Sequence, residues 1–344
     1  MINYKEIIIF IVSHLFLELF IIREKNENNI RDKFLNIKII QNNEYSLNDI
    51  VSNKTRIPVC YATDENNVYP TLVSMTSLVE NAGPNTFYDI FIMHPEKFNI
   101  VKNRQIFKSV EKSHSYNCSI NLINMKNKYE DLPFKKNKTM APAYYRLDIH
   151  NVLSRLNRAI WLDGDTLVFE DLTNLINIDM KSNYILGFLD SGVNHMEEFG
   201  LKNSTVLCSG VLLIDLDSLR KNNYTQKINK FLYVEKDRLF SHDQTVINVI
   251  FHGKKDFLPP KYGMWAFGNK KKAKNHLSIL KPYAKYNEKE FIYAMEHPAI
   301  LHYIWPKPFW KNARPAFRKE WWEYARKTGY FKEIFKFVKN YKRK

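Results

Sequence analysis

The chain has 344 residues, of which 45% are hydrophobic and 14% aromatic, with only 10 glycines and 13 prolines. That excludes a low-complexity polymer and supplies enough apolar material for one large domain with appendages. Three cysteines, Cys60, Cys118 and Cys208, exclude a disulfide framework or a spaced zinc set, and the formal net charge of +16 suits an anionic partner.

Residues 7–22 are almost wholly apolar, interrupted by Ser13, His14 and Glu18. As a helix they would be about 24 Å long, short of the roughly 20 residues of a full span. No small-residue cleavage site follows. A membrane-anchor or interfacial helix is expected over residues 1–25; the plain alternative is a helix packed on the protein's own surface. Residues 26–55, rich in Asn, Lys and Glu, are expected to be a polar stem.

The pattern changes over residues 56–310. Ile57–Ala62 is expected as a strand. Pro70–Asn81 is expected as a helix, with proline in its first turn and Gly83-Pro84 past its end. Tyr88–Met93 and Ser119–Ile123 follow as strands, with a helix over Asn99–His114 between them. Ala141–Leu153 suits one or two short helices, and the apolar run Arg158–Leu162 a buried strand. Tyr184–Leu189 and Gly210–Asp215 are further strands; Tyr224–Val234 and Asp243–Phe251 are helices. This alternation predicts an α/β fold with a central, mostly parallel sheet flanked by helices. Ligands of such sheets bind at the carboxyl ends of the strands. Residues 311–344 form a basic C-terminal helical tail, with 12 Lys/Arg against 3 Asp/Glu, interleaved with Trp321, Trp322, Tyr324, Phe331, Phe335 and Phe337. Basic and aromatic residues together suit an anionic membrane surface; the alternative is a helix docked on the domain with a solvated basic face. A second basic stretch, residues 254–281, holds 8 Lys against one Asp.

Asp163-Gly164-Asp165, a DxD motif, stands at the end of the strand Arg158–Leu162. Two carboxylates one residue apart can reach one divalent cation from the same side. Carboxylate and water oxygens suit Mg²⁺ or Mn²⁺, with substrate phosphates completing the shell. Such a site steadies a diphosphate as a leaving group. Asp and Gly are also ordinary turn residues.

Several stretches, in order, resemble glycosyltransferase family 8, which includes glycogenins and bacterial lipopolysaccharide galactosyl- and glucosyltransferases. Ile57-Pro58-Val59-Cys60-Tyr61-Ala62-Thr63-Asp64-Glu65-Asn66 resembles its opening strand and loop. Ala143-Tyr144-Tyr145-Arg146-Leu147 and then Asp163-Gly164-Asp165-Thr166-Leu167-Val168 resemble its central motif. Cys208-Ser209-Gly210-Val211-Leu212-Leu213-Ile214-Asp215 resembles its acceptor-side strand, and His242-Asp243-Gln244-Thr245-Val246-Ile247-Asn248 its Asp-Gln helix. Leu301-His302-Tyr303 with Lys307-Pro308 resembles its C-terminal metal and phosphate motif. The resemblance implies a GT-A (Rossmann-like) fold over residues 56–310, Mn²⁺ (or Mg²⁺), and transfer with retention from UDP-glucose or UDP-galactose. A glycan or glycolipid acceptor is implied, above all a lipopolysaccharide or lipo-oligosaccharide core.

On that resemblance Asp163, Asp165 and His302 hold the metal. Ala62, Asp64, Glu65, Asn66, Arg146, Asp163, Gly164 and Lys307 bind the donor. Asp243 and Gln244 lie at the reacting face of the sugar, and Asp190 holds donor-sugar hydroxyls. Retention goes either by same-face attack, with the Gln244 amide oxygen steadying the anomeric centre, or through a carboxylate nucleophile, Asp190 or Asp243. Several have a plainer reading: His302 as a surface or core histidine, Lys307 as one more lysine in a basic region, Asp64 and Glu65 as a cap or turn, Arg146 as an ion pair with Asp148, Asp190 as a turn residue in Asp190-Ser191-Gly192, Asp243 as a favourable charge at a helix N-terminus. Cys208 stands where the family usually has Asn, Asn67 where an aromatic is common, and the stretch after His302 lacks the common Gly. The expected location is membrane-associated, on the cytoplasmic face of a bacterial inner membrane, with a Golgi-type lumenal anchor as the alternative. Other readings are a catalytically weak UDP-sugar-binding module of the same fold, or a nucleotidyltransferase, against which the missing Gly-rich loop counts. No nucleic acid is expected as a partner, since recognised nucleic-acid motifs are missing.

Overall fold

The structure, a computed structural model, describes residues 54–132, 141–190, 196–201, 204–267, 270–280, 286–304, 307 and 315–340. The expected anchor over 1–25, nearly all of the stem, and the run 308–314 lie outside the described residues.

The elements follow in chain order. Strand β1 (Thr55–Ala62), helix α1 (Val68–Glu80), β2 (Thr86–His94), α2 (Ile100–Ser113) and β3 (Cys118–Asn124) make the first half. Short helices α3 (Ala141–Tyr144) and α4 (Ile149–Val152) lead to β4 (Arg158–Leu162), β5 (Thr166–Val168) and α5 (Thr173–Ile176). Next come β6 (Ile185–Asp190), β7 (Val206–Asp215), α6 (Leu216–Lys221), α7 (Tyr224–Glu235), α8 (Asp243–Ile250) and β8 (Lys255–Phe257). Then β9 (Tyr262–Trp265), α9 (Lys270–Leu280), α10 (Glu288–Glu296), β10 (Ile300–His302), α11 (Arg318–Lys327) and α12 (Phe331–Asn340) complete the described chain.

Seven strands form the main sheet in the order β3-β2-β1-β4-β7-β6-β8. β3, β2, β1 and β4 run parallel, as do β6 and β8, while β7 is antiparallel to both its neighbours. A second sheet has three short strands in the order β5-β10-β9. The fold class is the expected one: an α/β, GT-A architecture with a mostly parallel central sheet between helices. The expected strand at Gly210 begins earlier, at Val206. The three- and four-residue strands of the small sheet escape periodicity because each is too short to show an alternation.

The period of two along β4 decides what lies where. Ile160 and Leu162 join the apolar layer that includes α1, and Ala159 and Trp161 join the opposite layer with Cys60, Leu212 and Val246. Helix α1 is buried over Val68 and Pro70–Val79, because it lies between the main sheet and the small one. Its polar residues are satisfied within that sandwich: Ser74 Oγ meets Thr166 Oγ1 at 2.8 Å, and Ser77 Oγ accepts from Val168 N at 2.9 Å.

One irregularity shapes the centre. Gly187 of β6 faces Leu212, yet the next residue, Phe188, faces Cys208. Ser209, Gly210 and Val211 therefore have no partner on β6, and the strand bulges toward β4. Val211 pairs with Leu162, and the Asp163 amide donates to the Gly210 carbonyl at 2.8 Å. The bulge and the carboxyl end of β4 thus meet.

Candidate active site

Asp163 and Asp165 flank the turn between β4 and β5, and His302 ends β10, which pairs with β5 at Thr166. The small sheet therefore carries His302 back to the acidic turn. Tyr303 N donates to the Asp165 carbonyl at 3.0 Å and fixes that approach. His302 Nε2 lies 3.2 Å from Asp165 Oδ1 and 3.7 Å from Asp163 Oδ2. One ligand atom from each of the three residues falls within 4.8 Å of the others. Lys307 pairs with Asp165 Oδ2.

Glycines clear the space. A Cβ on Gly210 would stand 2.0 Å from His302 Cε1, so the imidazole seats directly on the bare backbone of the β7 bulge. A Cβ on Gly164 would stand 2.3 Å from Thr71 Oγ1, so the acidic turn lies against the first turn of α1. Cys208 Sγ approaches His302 Nδ1 at 3.6 Å from the side away from the carboxylates.

Arg146, nearly buried, binds this turn to the rest of the site. Its Nη2 donates to Asp163 Oδ1 at 2.8 Å, its Nη1 donates to the Ser209 carbonyl, and its Nε lies 3.0 Å from Asp243 Oδ2 while donating to Ala143 O. The guanidinium also stacks 4.7 Å above the Trp161 ring, whose Nε1 donates to Asp163 Oδ1 at 3.0 Å. The expected partner Asp148 pairs with Lys128 instead. Burial alone would raise Asp163, but Arg146, His302 and the Trp161 N–H outweigh it and hold the carboxyl below its usual range. Burial pushes Asp243 up to about 6, with the negative Asp163 adding to it and Arg146 opposing. Burial likewise brings Lys307 down to about 8, against the pull of Asp163.

The opposite wall is built on α8 and β6. Gln244 Nε2 donates to Asp190 Oδ2 at 2.8 Å, and Gln244 Oε1 accepts from Ser209 N at 3.1 Å. A carboxylate at one end and a peptide N–H at the other settle which way the amide points. Asp190 ends β6, so both groups sit beside the bulge.

The structure brings Asp163, Gly164, Asp165, Arg146, Asp243, Gln244, Asp190, His302 and Lys307 together. Ala62, Asp64, Glu65 and Asn66 lie where β1 leaves the sheet. There Asp64 Oδ1 accepts from Asn66 N at 3.0 Å and Asn67 Nδ2 at 2.7 Å, which folds the loop as an Asx turn. The Glu65 carboxylate accepts from Asn99 N at 2.7 Å and Asn103 Nδ2 at 2.8 Å, at the start of α2. Tyr69, three residues after Asn66, lies against Phe337 of α12 at 5.6 Å between ring centres. Sequence reasoning missed Trp161 and Ser209 as site residues. The signal for Trp161 was present: on a strand, a residue two before Asp163 shares its side.

The sequence model of the family described as Glycosyl transferase family 8 matches residues 58–313. General stress protein A of Bacillus subtilis is 28% identical over 209 residues, covering 59% of this chain and 70% of that protein. The lipopolysaccharide 1,2-glucosyltransferase of Escherichia coli is 26% identical over 236 residues, 65% of this chain and 67% of that one. A solved structure of the galactosyltransferase LgtC with donor and acceptor sugar analogues superposes with a TM-score of 0.65 at 18% identity. That superposition covers 79% of this chain and 96% of LgtC, a likeness of fold.

Proposed function

The chain belongs to glycosyl transferase family 8 and is a glycosyltransferase, taking a nucleotide-sugar donor and a glycan acceptor; from that premise we propose that it is a retaining, metal-dependent hexosyltransferase. It would move glucose or galactose from UDP to a hydroxyl of a glycan, in a lipopolysaccharide or lipo-oligosaccharide core. The supporting observation is the convergence of Asp163, Asp165 and His302 from two sheets onto one point. Two carboxylates and an imidazole, with Asp163 Oδ2 and His302 Nε2 both directed inward, form a donor set that fits Mn²⁺ or Mg²⁺. An ion held there supplies positive charge to the diphosphate of the departing UDP. One relative, the lipopolysaccharide 1,2-glucosyltransferase of Escherichia coli, supports the choice of acceptor.

The residues divide the remaining work. Lys307, beside Asp165, would offer its ammonium to the phosphate oxygens. Arg146 holds one Asp163 oxygen, leaving the other free to ligate. The Asp64–Asn66 turn, at the carboxyl end of β1, would meet uracil and ribose. Gln244 and Asp190 would face the anomeric carbon and sugar hydroxyls. Transfer forms the bond from the acceptor oxygen to the anomeric carbon on the same face from which the bond to the β-phosphate oxygen breaks. The acceptor proton passes to the departing phosphate oxygen. Asp243 fits a supporting role better than a nucleophilic one, because it is buried against Arg146.

UDP release from UDP-glucose and UDP-galactose, measured with Mn²⁺ and after chelation, checks this reading. Turnover is expected with metal, about 100-fold less after chelation, and restored on adding Mn²⁺. Turnover indifferent to the chelator would reject the site.

The membrane partner is also proposed. No helix among the described residues is long and apolar enough to cross a bilayer, so the proposal for this part is surface attachment at the cytoplasmic face of a bacterial inner membrane. Helices α11 and α12 bury Trp321, Ala325, Ile334 and Val338 against the domain while leaving Phe335 57% exposed among lysines. Such a surface would sit on anionic lipid. Flotation with phosphatidylglycerol vesicles is expected, and lost at about 1 M salt; equal flotation with neutral vesicles would contradict it.

A further inference from the structure

Asn248 on α8 is fully buried, and both polar atoms of its side chain are used twice. Its Nδ2 donates to Leu207 O and to Gln244 O, each at 2.8 Å. Its Oδ1 accepts from Leu207 N at 2.7 Å and from Lys255 Nζ at 2.8 Å. The paired bonds to Leu207 make the side-chain amide act like an extra strand residue and fasten α8 to β7. Two residues on, Ser209 N–H holds Gln244 Oε1. Gln244 is therefore gripped at its main-chain carbonyl by Asn248 and at its side chain by a peptide group whose place Asn248 secures.

Lys255 closes this frame from β8. Its Nζ also donates to the main-chain carbonyl of Asn248 at 2.9 Å. That carbonyl is in the last turn of α8, where unpaired carbonyls favour a cation. Burial brings Lys255 down to about 7, and a neutral amine at this spot still offers two N–H donors to the same oxygens.

We propose that Asn248 and Lys255 are positioning residues for transfer, setting the Gln244 amide at the reacting face. The proposal rests on the hexosyltransferase reading for what Gln244 does. A glutamine side chain has three soft torsions, and a misplacement of about 1 Å at a reacting centre can cost on the order of 100-fold in rate. The frame replaces that freedom with fixed hydrogen bonds.

The test compares Mn²⁺-supported UDP release from UDP-glucose and UDP-galactose in four proteins: wild type, Gln244→Ala, Lys255→Met and the double variant. Lys255→Met keeps the aliphatic stem and deletes the donors. Its kcat is expected to fall about 10-fold while donor KM stays within about twofold. Added to Gln244→Ala, it is expected to cost nothing further, because the residue it positions is gone. The same loss in both backgrounds, a loss in KM alone, or no loss would overturn the proposal. Asn248→Asp, which keeps the shape and removes both N–H donors, is expected to behave as Lys255→Met does. Where that variant fails to fold, Lys255→Met alone decides. If wild type releases UDP from neither donor, the glucose- or galactose-transfer reading fails, and the frame is read separately by NMR. The Gln244 side-chain amide protons, identified by their absence in Gln244→Ala, are then expected to exchange with water faster in Lys255→Met. Unchanged exchange would overturn the frame.

Discussion

Asp163→Asn is expected to lower UDP-sugar turnover by about three orders of magnitude. The substitution keeps the shape and changes the chemistry. Asp163 Oδ1 already accepts from Arg146 Nη2 and Trp161 Nε1, so an asparagine would place its carbonyl oxygen there. That leaves the NH₂ group pointing at His302, where a ligand oxygen belongs. An amide nitrogen has no lone pair to give a cation. Arg146 meanwhile loses one of two carboxylates in a site nearly closed to water. Half-breaking a buried pair costs about 3 kcal/mol, reduced here because Asp163 keeps some exposure and Asp243 remains. A Mn²⁺ titration of turnover checks the first effect and a thermal melt the second. Full activity in Asp163→Asn would remove the metal site from the mechanism.

Gly210→Ala makes the second large effect. The added methyl would enter the His302 ring, 2.0 Å from Cε1 and 2.6 Å from both nitrogens. His302 is 6% exposed and has Asp165 in front of it. It cannot move aside without surrendering the 3.2 Å approach to Asp165. Mn²⁺ affinity is expected to fall at least about 10-fold and turnover about 100-fold. Overpacking adds about 1–3 kcal/mol of destabilisation. Isothermal titration with Mn²⁺ separates lost binding from lost stability. Gly200→Ala is the control: its Cβ meets nothing within 4 Å, although its φ of +75° carries some strain. Equal metal binding by Gly210→Ala and wild type would show that the ring does not need its present seat.

The acidic turn was legible because a short apolar strand ended in two carboxylates. The ordered motifs extended that signal to His302 and Lys307, far along the chain. The fold class followed from strands long enough to show their period. What stayed illegible depends on contacts between distant segments. Nothing local to Arg146 distinguishes Asp148, two residues away, from Asp163 and Asp243, which only tertiary structure delivers. Gly210 looked like part of a motif, but its purpose requires knowing that His302 lands on it. Glu65 was read as donor-facing or as a local cap; its carboxylate also reaches the start of α2, a long-range contact that nothing beside it in the chain announces. The bulge in β7 left one mark, the glycine at 210, where the expected strand began; that three residues there lose their partners depends on the register against β6.

That bulge has a consequence for how such an enzyme can diversify. Arg146, Asn248, Gln244 and the Asp163 amide all attach to residues 207–210 through main-chain atoms. A peptide group is the same whatever residue carries it. Descendants can therefore exchange Cys208 or Ser209, retuning which sugar fits, while every one of those attachments survives. Gly210 is barred from that experiment by the His302 ring, and Leu207 by the core, so a lineage that wanted a new specificity would have to find it around a fixed glycine.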